Sequence, residues 1–294
     1  MAGTLYVVAT PIGNLADITH RAVDVLRSVA WIACEDTRQT RKLLERYGIE
    51  ARLVSYHEHN EEQRSGELLE RLEAGDDIAL VSDAGTPLVS DPGYRLVRRA
   101  VDRGIRVVPI PGPAAFLAAL SASGLETDSF YFGGFLPRKR SERARLLGTL
   151  APLPCTLIFY EAPHRILETL ADLEAAMPSR QVVIARELTK LHEEFLRGTA
   201  RGLREQLERR GSIKGEMTLL VGRPRAGENP DAAAGQGHHG DTSRHLASPP
   251  EAQHIRGELA RLQQQEGLSR MEAIKRLARR LGLGKREIYR LIQG

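Results

Sequence analysis

The sequence is poor in cysteine and has no long apolar run. It contains two cysteines in 294 residues, Cys34 and Cys155, and neither belongs to a Cys-x-x-Cys pair. We therefore expect two small buried residues and neither a disulfide nor a metal site. No apolar run approaches the roughly 20 residues that span a bilayer. The first residues enter a predicted strand where a signal peptide would show a basic and then an apolar segment, so we expect a cytoplasmic protein with no membrane partner.

The common nucleotide and hydrolase motifs are also missing. No Gly-x-Gly-x-x-Gly follows the first predicted strand and there is no phosphate-loop motif, which removes the best support for dinucleotide oxidoreduction and for phosphate-loop hydrolysis. Neither Gly-x-Ser-x-Gly nor His-Glu-x-x-His occurs. His57 and His59 are the most metal-like pair, but no third ligand is in view. We predict no metal site.

What the chain does contain is three sharp turns rich in Gly and Pro, each after an apolar run of strand length. They are residues 9–14 (ATPIGN) after 5–8, residues 82–87 (SDAGTP) after 78–81, and residues 111–115 (PGPAA) after 107–110. A helical pattern follows each turn. The turns should therefore meet at the carboxyl edge of a parallel sheet, where open α/β folds bind ligands.

The pattern of predicted elements divides the chain into four parts. Residues 1–120 alternate strand and helix without a hairpin, which indicates an α/β domain with a parallel sheet. Residues 121–222 read as a second α/β domain, whose short polar turn at 188–192 predicts a hairpin and hence a mixed sheet. Residues 223–250 lack aromatics and favour a flexible linker. Residues 251–294 predict a small basic helical module, with helices at 255–265, 270–281 and 285–292.

Basic residues are concentrated in two segments, although the net charge of +4 is small. Residues 270–290 carry eight Lys or Arg against two Glu, and residues 138–145 carry five against one. Such clusters suit a polyanion, whereas the alternative is a solvated helix face. The candidate RNA-binding residues are Arg138, Lys139, Arg140, Arg143, Lys275, Arg276, Arg279, Arg280, Lys285 and Arg286.

Eight motifs, in order, carry a resemblance to a known family. They are residues 10–19 (TPIGNLADIT), 35–38 (EDTR), 82–87 (SDAGTP), 90–93 (SDPG), 111–113 (PGP), 159–165 (FYEAPHR), 185–190 (ARELTK) and 215–218 (GEMT). Together they resemble the tetrapyrrole methylase superfamily, and within it the ribosomal RNA small subunit methyltransferase I branch. Tetrapyrrole-modifying relatives begin with a Gly-Pro-Gly-Asp type of first turn. The Pro-Ile-Gly-Asn of this chain departs from that pattern and favours the RNA branch.

The resemblance implies a cofactor, a substrate and an assembly. The cofactor would be S-adenosylmethionine, bound in a cleft between two α/β domains, and the protein would be a homodimer. The substrate would be a cytidine ribose 2′-hydroxyl of 16S rRNA in the small ribosomal subunit, a group that DNA lacks. Carried over by position, the cofactor site would use Pro11, Asp83, Ala84, Gly85, Thr86, Pro87, Leu88, Ser90, Ala115, Tyr160, Leu188, Met217 and Thr218.

The catalytic group is left open by the sequence. A ribose 2′-hydroxyl is a poor nucleophile, so an acceptor such as Asp83 or Glu187, or a cation such as Lys190 beside the developing alkoxide, would help. The alternative for Glu187 and Lys190 is a strand-end ion-pair network. Two other functions also stay open: a tetrapyrrole carbon methyltransferase, which does not need the basic tail, and a non-catalytic ribosome-assembly factor.

Overall fold

A computed structural model describes residues 2–224, residue 262 and residues 269–281. The first half of the chain forms a five-stranded parallel sheet with strand order β3-β2-β4-β1-β5. Its strands are β1 Thr4–Val8, β2 Trp31–Cys34, β3 Arg52–Ser55, β4 Ile78–Val81 and β5 Arg106–Ile110. The parallel sheet expected from the alternating pattern is confirmed.

Helices cover both faces of this sheet. They are α1 His20–Ser28, α2 Thr37–Arg46, α3 Glu61–Ala74 and α4 Tyr94–Asp102. Leucines of α1 and α2 share a core with β1 and β2, while leucines of α3 and α4 pack on the opposite face. Successive strand residues therefore alternate between two buried cores, which explains why these strands read as continuous apolar runs.

The second sheet is mixed, with strand order β6-β7-β10-β8-β9. Its strands are β6 Phe130–Phe135, β7 Thr156–Glu161, β8 Gln181–Arg186, β9 Glu194–Thr199 and β10 Met217–Val221. Strands β6 and β7 run parallel, whereas β10 is antiparallel to both β7 and β8, and β8 and β9 form the expected antiparallel hairpin. The mixed sheet predicted from the turn at 188–192 is confirmed.

The two faces of the second sheet have different neighbours. Three helices cover one face: α6 Arg140–Leu150, α7 Ile166–Ala176 and α8 Ala200–Glu208. The other face packs against α5, Ala115–Ser123, and against Ile12 from the turn after β1. Both sheets belong to one compact unit, and the turn after β1 is packed into the core that α5 forms with the second sheet.

Arg143 corrects one of the RNA-binding predictions. It lies on the same face of α6 as Leu147 and Leu150, and its side chain is 0% exposed. Its Nε donates to Oδ2 of Asp172 in α7 at 2.7 Å. Arg143 is thus a buried link between two helices and is not available to RNA, whereas Arg138, Lys139 and Arg140 are exposed.

Beyond the two sheets, one further helix is described. It is α9, Arg270–Leu281, with the bounds that the sequence predicted, and it belongs to a second unit. Lys275 and Arg276 are exposed on it, while the side chains of Arg279 and Arg280 are not described. Of the helix predicted at 255–265, only Leu262 is described, and it is helical. The predictions for most of the linker, for the helix at 285–292, and for Lys285 and Arg286 fall outside the described residues.

Three smaller observations complete the fold. Both cysteines are free; Cys34 is buried as expected, but Cys155 precedes β7 and is only partly buried. Among the residues that the structure describes, no helix has the length and apolarity to cross a membrane. The division into domains near residue 120 remains a prediction.

Candidate functional site

The three Gly- and Pro-rich turns meet at one edge of the first sheet, as predicted. Thr10 and Gly85 exchange two backbone hydrogen bonds of 2.8 and 3.0 Å, and Thr10 Oγ1 donates to the carbonyl of Ser82. Thr86 Oγ1 donates to the carbonyl of Pro113 at 3.1 Å and so ties the second turn to the third. Side chains and backbone together hold the turns as one rigid wall.

A cavity of about 360 Å³ lies between these turns and the second sheet. Its floor is a row of four residues on neighbouring strands, because the register pairs Thr218 with both Ala185 and Tyr160, and Tyr160 with Phe135. All four line the cavity. The volume lies within the range of small-molecule sites.

Ten of the thirteen predicted cofactor residues line this cavity. They are Asp83, Ala84, Gly85, Thr86, Ser90, Ala115, Tyr160, Leu188, Met217 and Thr218. The other three do not: Pro11 and Pro87 are buried, and Leu88 packs against the core of the first sheet. Residues separated by more than 130 positions thus surround one cavity.

Ten further residues, which the sequence analysis did not single out, also line the cavity. They are Ile12, Val89, Asp91, Ala114, Phe135, Glu161, Ala162, Pro163, Ala185 and Glu216. Most are chain neighbours of predicted residues, so naming whole turns would have found them. Phe135 had a signal of its own, because the Gly133-Gly134 pair inside a strand indicates a bulge.

Backbone strain is concentrated at this cavity. In the described part of the chain, four residues other than glycine have a positive φ: Leu88 at 71°, Ser90 at 67°, Glu187 at 52° and Thr189 at 65°. All four lie in two segments that line the cavity, the loop after the second turn and the turn between β8 and β9. Such conformations cost on the order of 1–3 kcal/mol each and are typical of functional sites.

The three catalytic candidates do not form one group. Lys190 Nζ donates to Glu187 Oε1 and to Glu216 Oε2, both at 2.9 Å. Glu216 lines the cavity, whereas Lys190 and Glu187 do not. The stem of Lys190 covers Gly13 of the first turn, where a Cβ would lie 2.6 Å from Lys190 Cγ. Lys190 and Glu187 therefore sit at the rim, in the ion-pair network that the sequence left as an alternative.

This network fixes the charge of its members. Burial alone would lower the pKa of Lys190, but the hydrogen bonds to Glu216 and Glu187 and the charges of both carboxylates outweigh it and raise that pKa. The hydrogen bond from Lys190 in turn lowers the pKa of Glu187. Lys190 is consequently a cation at neutral pH and can act as a charge but not as a base.

Asp83, the third candidate, belongs to an acidic part of the wall. Its Oδ1 accepts from the backbone N–H of Asp36 at 3.0 Å. Nearby Asp91 lines the cavity, and burial, together with the charges of Glu35 and Asp83, raises the pKa of Asp91 to about 6. Burial and the charge of Asp83 also raise the pKa of Glu35. This wall is suited to a ligand that carries positive charge.

Metal ligands are not assembled in the described ranges. There, no group of three or more His, Cys, Asp and Glu side chains is arranged to hold a metal ion. His57 and His59 contact each other edge to face, with ring centroids 6.0 Å apart, and His57 Nε2 lies 3.1 Å from the amide nitrogen of Asn60. The two rings thus belong to a local turn.

Comparison with known proteins gives consistent matches. Residues 4–204 match the family model of tetrapyrrole (corrin/porphyrin) methylases. The chain is 47% identical over 291 residues to the ribosomal RNA small subunit methyltransferase I of Halalkalibacterium halodurans, covering 98% of this chain and 94% of that protein. It is 53% identical over 225 residues to the protein of the same name from Escherichia coli O157:H7, covering 74% and 77% respectively.

A solved structure shares the fold at much lower identity. It is the uroporphyrin-III C-methyltransferase of Thermus thermophilus in complex with S-adenosyl homocysteine, with a TM-score of 0.53 and 18% identity, covering 75% of this chain and 97% of that one.

Proposed function

The chain belongs to the tetrapyrrole methylase family, and on that premise we propose that it transfers a methyl group from S-adenosylmethionine to a cytidine ribose 2′-hydroxyl of 16S rRNA. The observation that carries this proposal is the 47% identity, over 98% of the chain, to a protein named ribosomal RNA small subunit methyltransferase I. The likeness to a uroporphyrin methyltransferase, at 18% identity, supports the fold alone.

The cavity has the chemistry that S-adenosylmethionine requires. This cofactor, when bound, supplies an electrophilic methyl group on a positively charged sulfur. Asp83 and Asp91 give one wall of the cavity negative charge, and Ile12, Val89 and Met217 give it apolar surface. Gly85 lines the cavity, and a residue without a side chain allows a ligand to approach its backbone closely. These residues would hold the cofactor.

The main task of the protein is then positioning. Aligning the methyl group with the attacking oxygen can lower the activation barrier by about 7–11 kcal/mol without any acid or base, provided that both groups are held in the reactive geometry. The hydrogen bonds between the three turns hold the wall together. At the rim, the Lys190 ammonium would stabilise the alkoxide as the hydroxyl proton passes to a carboxylate such as Asp83 or Glu187.

The exposed basic segments would bind the RNA phosphates on either side of the methylated nucleotide. Arg138, Lys139 and Arg140 follow directly on β6, whose last residue lines the cavity. On α9, Lys275 and Arg276 present further positive charge. Each neutralised phosphate releases counterions, which makes such binding strong at low salt and weak at high salt. We propose that the protein works as a homodimer on the small ribosomal subunit, and hence in the cytoplasm.

A deletion strain tests the proposal. Ribose methylation would be mapped across the 16S rRNA of the strain that lacks this chain and of the same strain complemented with it. We expect one cytidine to lose its 2′-O-methyl group on deletion and to regain it on complementation. An unchanged map, combined with altered tetrapyrroles, would assign the chain to the tetrapyrrole branch. An unchanged map with defective subunit assembly would indicate a non-catalytic assembly factor.

A further inference from the structure

The end of strand β6 contains a bulge that redirects one side chain. Phe130, Tyr131 and Phe132 pair in sequence with residues 156, 157 and 158 of β7, but the next partner of Tyr160 is Phe135. One extra residue has entered β6. Because side chains alternate along a strand, this insertion moves Phe135 from the face it would otherwise occupy to the face of Tyr160. That face lines the cavity.

Two glycines make the bulge possible. Gly134 has a φ of 61°, a conformation that other residues rarely adopt. At Gly133, a Cβ would lie 2.7 Å from Cε1 of Phe159 and 2.9 Å from Cε1 of Tyr131, so no larger residue fits without movement. The backbone conformation at residue 134 and the close packing at residue 133 therefore both require glycine. Together the two glycines allow the bulge that places Phe135 at the cavity.

Phe135 is held in place but largely uncovered. Its ring lies edge to face on Tyr160, with centroids 5.5 Å apart, and Tyr160 packs in the same way on Phe132 at 5.1 Å. Yet 60% of Phe135 remains exposed, and the residue lines the cavity. An aromatic ring that is fixed by its neighbours and open on one side is a preformed surface for a flat ligand.

The proposed substrate brings a flat ligand to this place. A ribose 2′-hydroxyl in RNA reaches an enclosed methyl donor only when its nucleotide leaves the stack, and the unstacked base then needs a new aromatic neighbour. The exposed Arg138 comes three residues after Phe135, or about 10 Å of chain at most. Base and backbone contacts would thus follow each other along one segment.

We propose that Phe135 is the stacking surface for the pyrimidine base of the nucleotide whose ribose is methylated. The inference rests on the proposed function and adds to it the residue that receives the target base. Contact with the cofactor is a different role, and the experiment separates the two.

The test compares Phe135→Ala with Phe135→Tyr and with Phe130→Ala. Phe130 is a matched control, because it is an aromatic residue of the same strand that is 42% exposed but does not line the cavity. Methylation of small subunits from the deletion strain is measured at saturating S-adenosylmethionine. Calorimetry gives the affinity for S-adenosylmethionine, and gel filtration gives the oligomeric state.

We expect Phe135→Ala to lower kcat/KM for the subunits about 5- to 150-fold, the range expected for loss of one stacked base. Phe135→Tyr should stay near the wild-type value, as should Phe130→Ala, and all affinities for S-adenosylmethionine should be unchanged.

Three results would overturn the inference while leaving the proposed function intact. They are equal kcat/KM values for Phe135→Ala and Phe130→Ala, a loss of S-adenosylmethionine affinity that explains the whole defect, or a dimer that dissociates only in Phe135→Ala. If the wild-type protein methylates no subunits, the proposed function and the inference both fail.

Discussion

Gly85 is the residue on which the cofactor wall depends most directly. Its φ is 92°, and its backbone exchanges both hydrogen bonds with Thr10, so a side chain there strains the contact between two turns. We expect Gly85→Val to abolish the binding of S-adenosylmethionine while the protein stays folded, because Gly85 lines the cavity and a branched side chain would fill the space where the backbone meets the cofactor. Calorimetry measures the affinity.

Gly104 provides the matched control for this substitution. It has a similar φ of 68°, but nothing lies within 4 Å of its Cβ position, and it lies before the start of β5, whereas the third turn follows the end of that strand. Gly104→Val should therefore show the cost of strain in stability without any change in affinity. If Gly85→Val binds the cofactor as tightly as Gly104→Val does, the second turn does not belong to the site.

Lys190 affects the rate if it stabilises the developing alkoxide. Lys190→Met should slow single-turnover methylation by about 100-fold or more at saturating RNA and cofactor, while both affinities stay nearly unchanged, because the interaction is made only in the transition state. Lys190→Arg should restore little activity, since a planar guanidinium does not replace a compact ammonium.

Lys214, an exposed lysine two residues before Glu216, is the control for loss of charge near the rim. Lys214→Met should leave the rate unchanged. An unaltered single-turnover rate in Lys190→Met would reduce Lys190 to a structural partner of Glu187 and Glu216, and would leave Asp83 and Glu187 to be tested.

Asp91 should make cofactor binding depend on pH. Its pKa is raised to about 6, so it is largely neutral below that pH and negative above it. The proposed cofactor carries a net positive charge, so its affinity should increase as the pH rises from about 5 to about 7, and binding near pH 6 should release protons. Calorimetry in buffers of different ionisation enthalpy measures both effects.

Asp91→Asn should remove most of this pH dependence, whereas Glu35→Gln should retain it with the midpoint shifted to lower pH, because the charge of Glu35 contributes to the raised pKa of Asp91. The pKa of Glu35 is raised as well, but Glu35 does not line the cavity. The same pH dependence in Asp91→Asn and the wild-type protein would show that the charge of Asp91 does not affect the affinity for the cofactor.

At the scale of elements, the contact between α6 and α7 depends on a buried ion pair. Asp172 is 5% exposed and accepts from Arg143 at 2.7 Å and from Arg140 at 3.1 Å. Asp172→Ala should lower the free energy of unfolding by about 3–5 kcal/mol, because a fully buried guanidinium loses its nearest partner. Urea denaturation measures the change.

An exposed pair in α8 is the control for this prediction. Arg201 and Glu205 lie 3.0 Å apart on the surface, and Glu205→Ala should cost only about 0.3–0.5 kcal/mol. Within the described ranges, Glu168 is the other carboxylate that contacts Arg143, at 3.5 Å. A cost for Asp172→Ala as small as that of Glu205→Ala would mean that Glu168 replaces Asp172.

The same elements show what sequence patterns predict and where they fail. The three turns and the bounds of α9 followed from local signals: apolar runs, Gly and Pro, and helical periodicity. Arg143 was assigned to RNA because counting charges ignores which face of a helix a residue occupies. Its spacing from Leu147 and Leu150 already indicated the buried face. Phe135 was missed because a bulge of one residue exchanges the two faces of a strand.

At the scale of the whole molecule, the cavity exists because the turn after β1 and helix α5 share a core with the second sheet. Ile12, from the turn after β1, packs with Leu188 and with residues of β7 and β10. This contact between distant segments could not be read from the spacing of motifs, although the resemblance to a family implied it. Ten predicted residues therefore line one cavity, while local patterns predicted only the turns.

The most direct test of the account is a methyl-transfer assay with the purified full chain. Small ribosomal subunits from the deletion strain would be incubated with S-adenosylmethionine labelled in its methyl group, and the 16S rRNA digested to nucleosides for mass spectrometry. We predict that the label appears in 2′-O-methylcytidine, and that Gly85→Val removes it. Label on a nucleobase, or no label in the RNA while the protein binds the cofactor, would contradict the account.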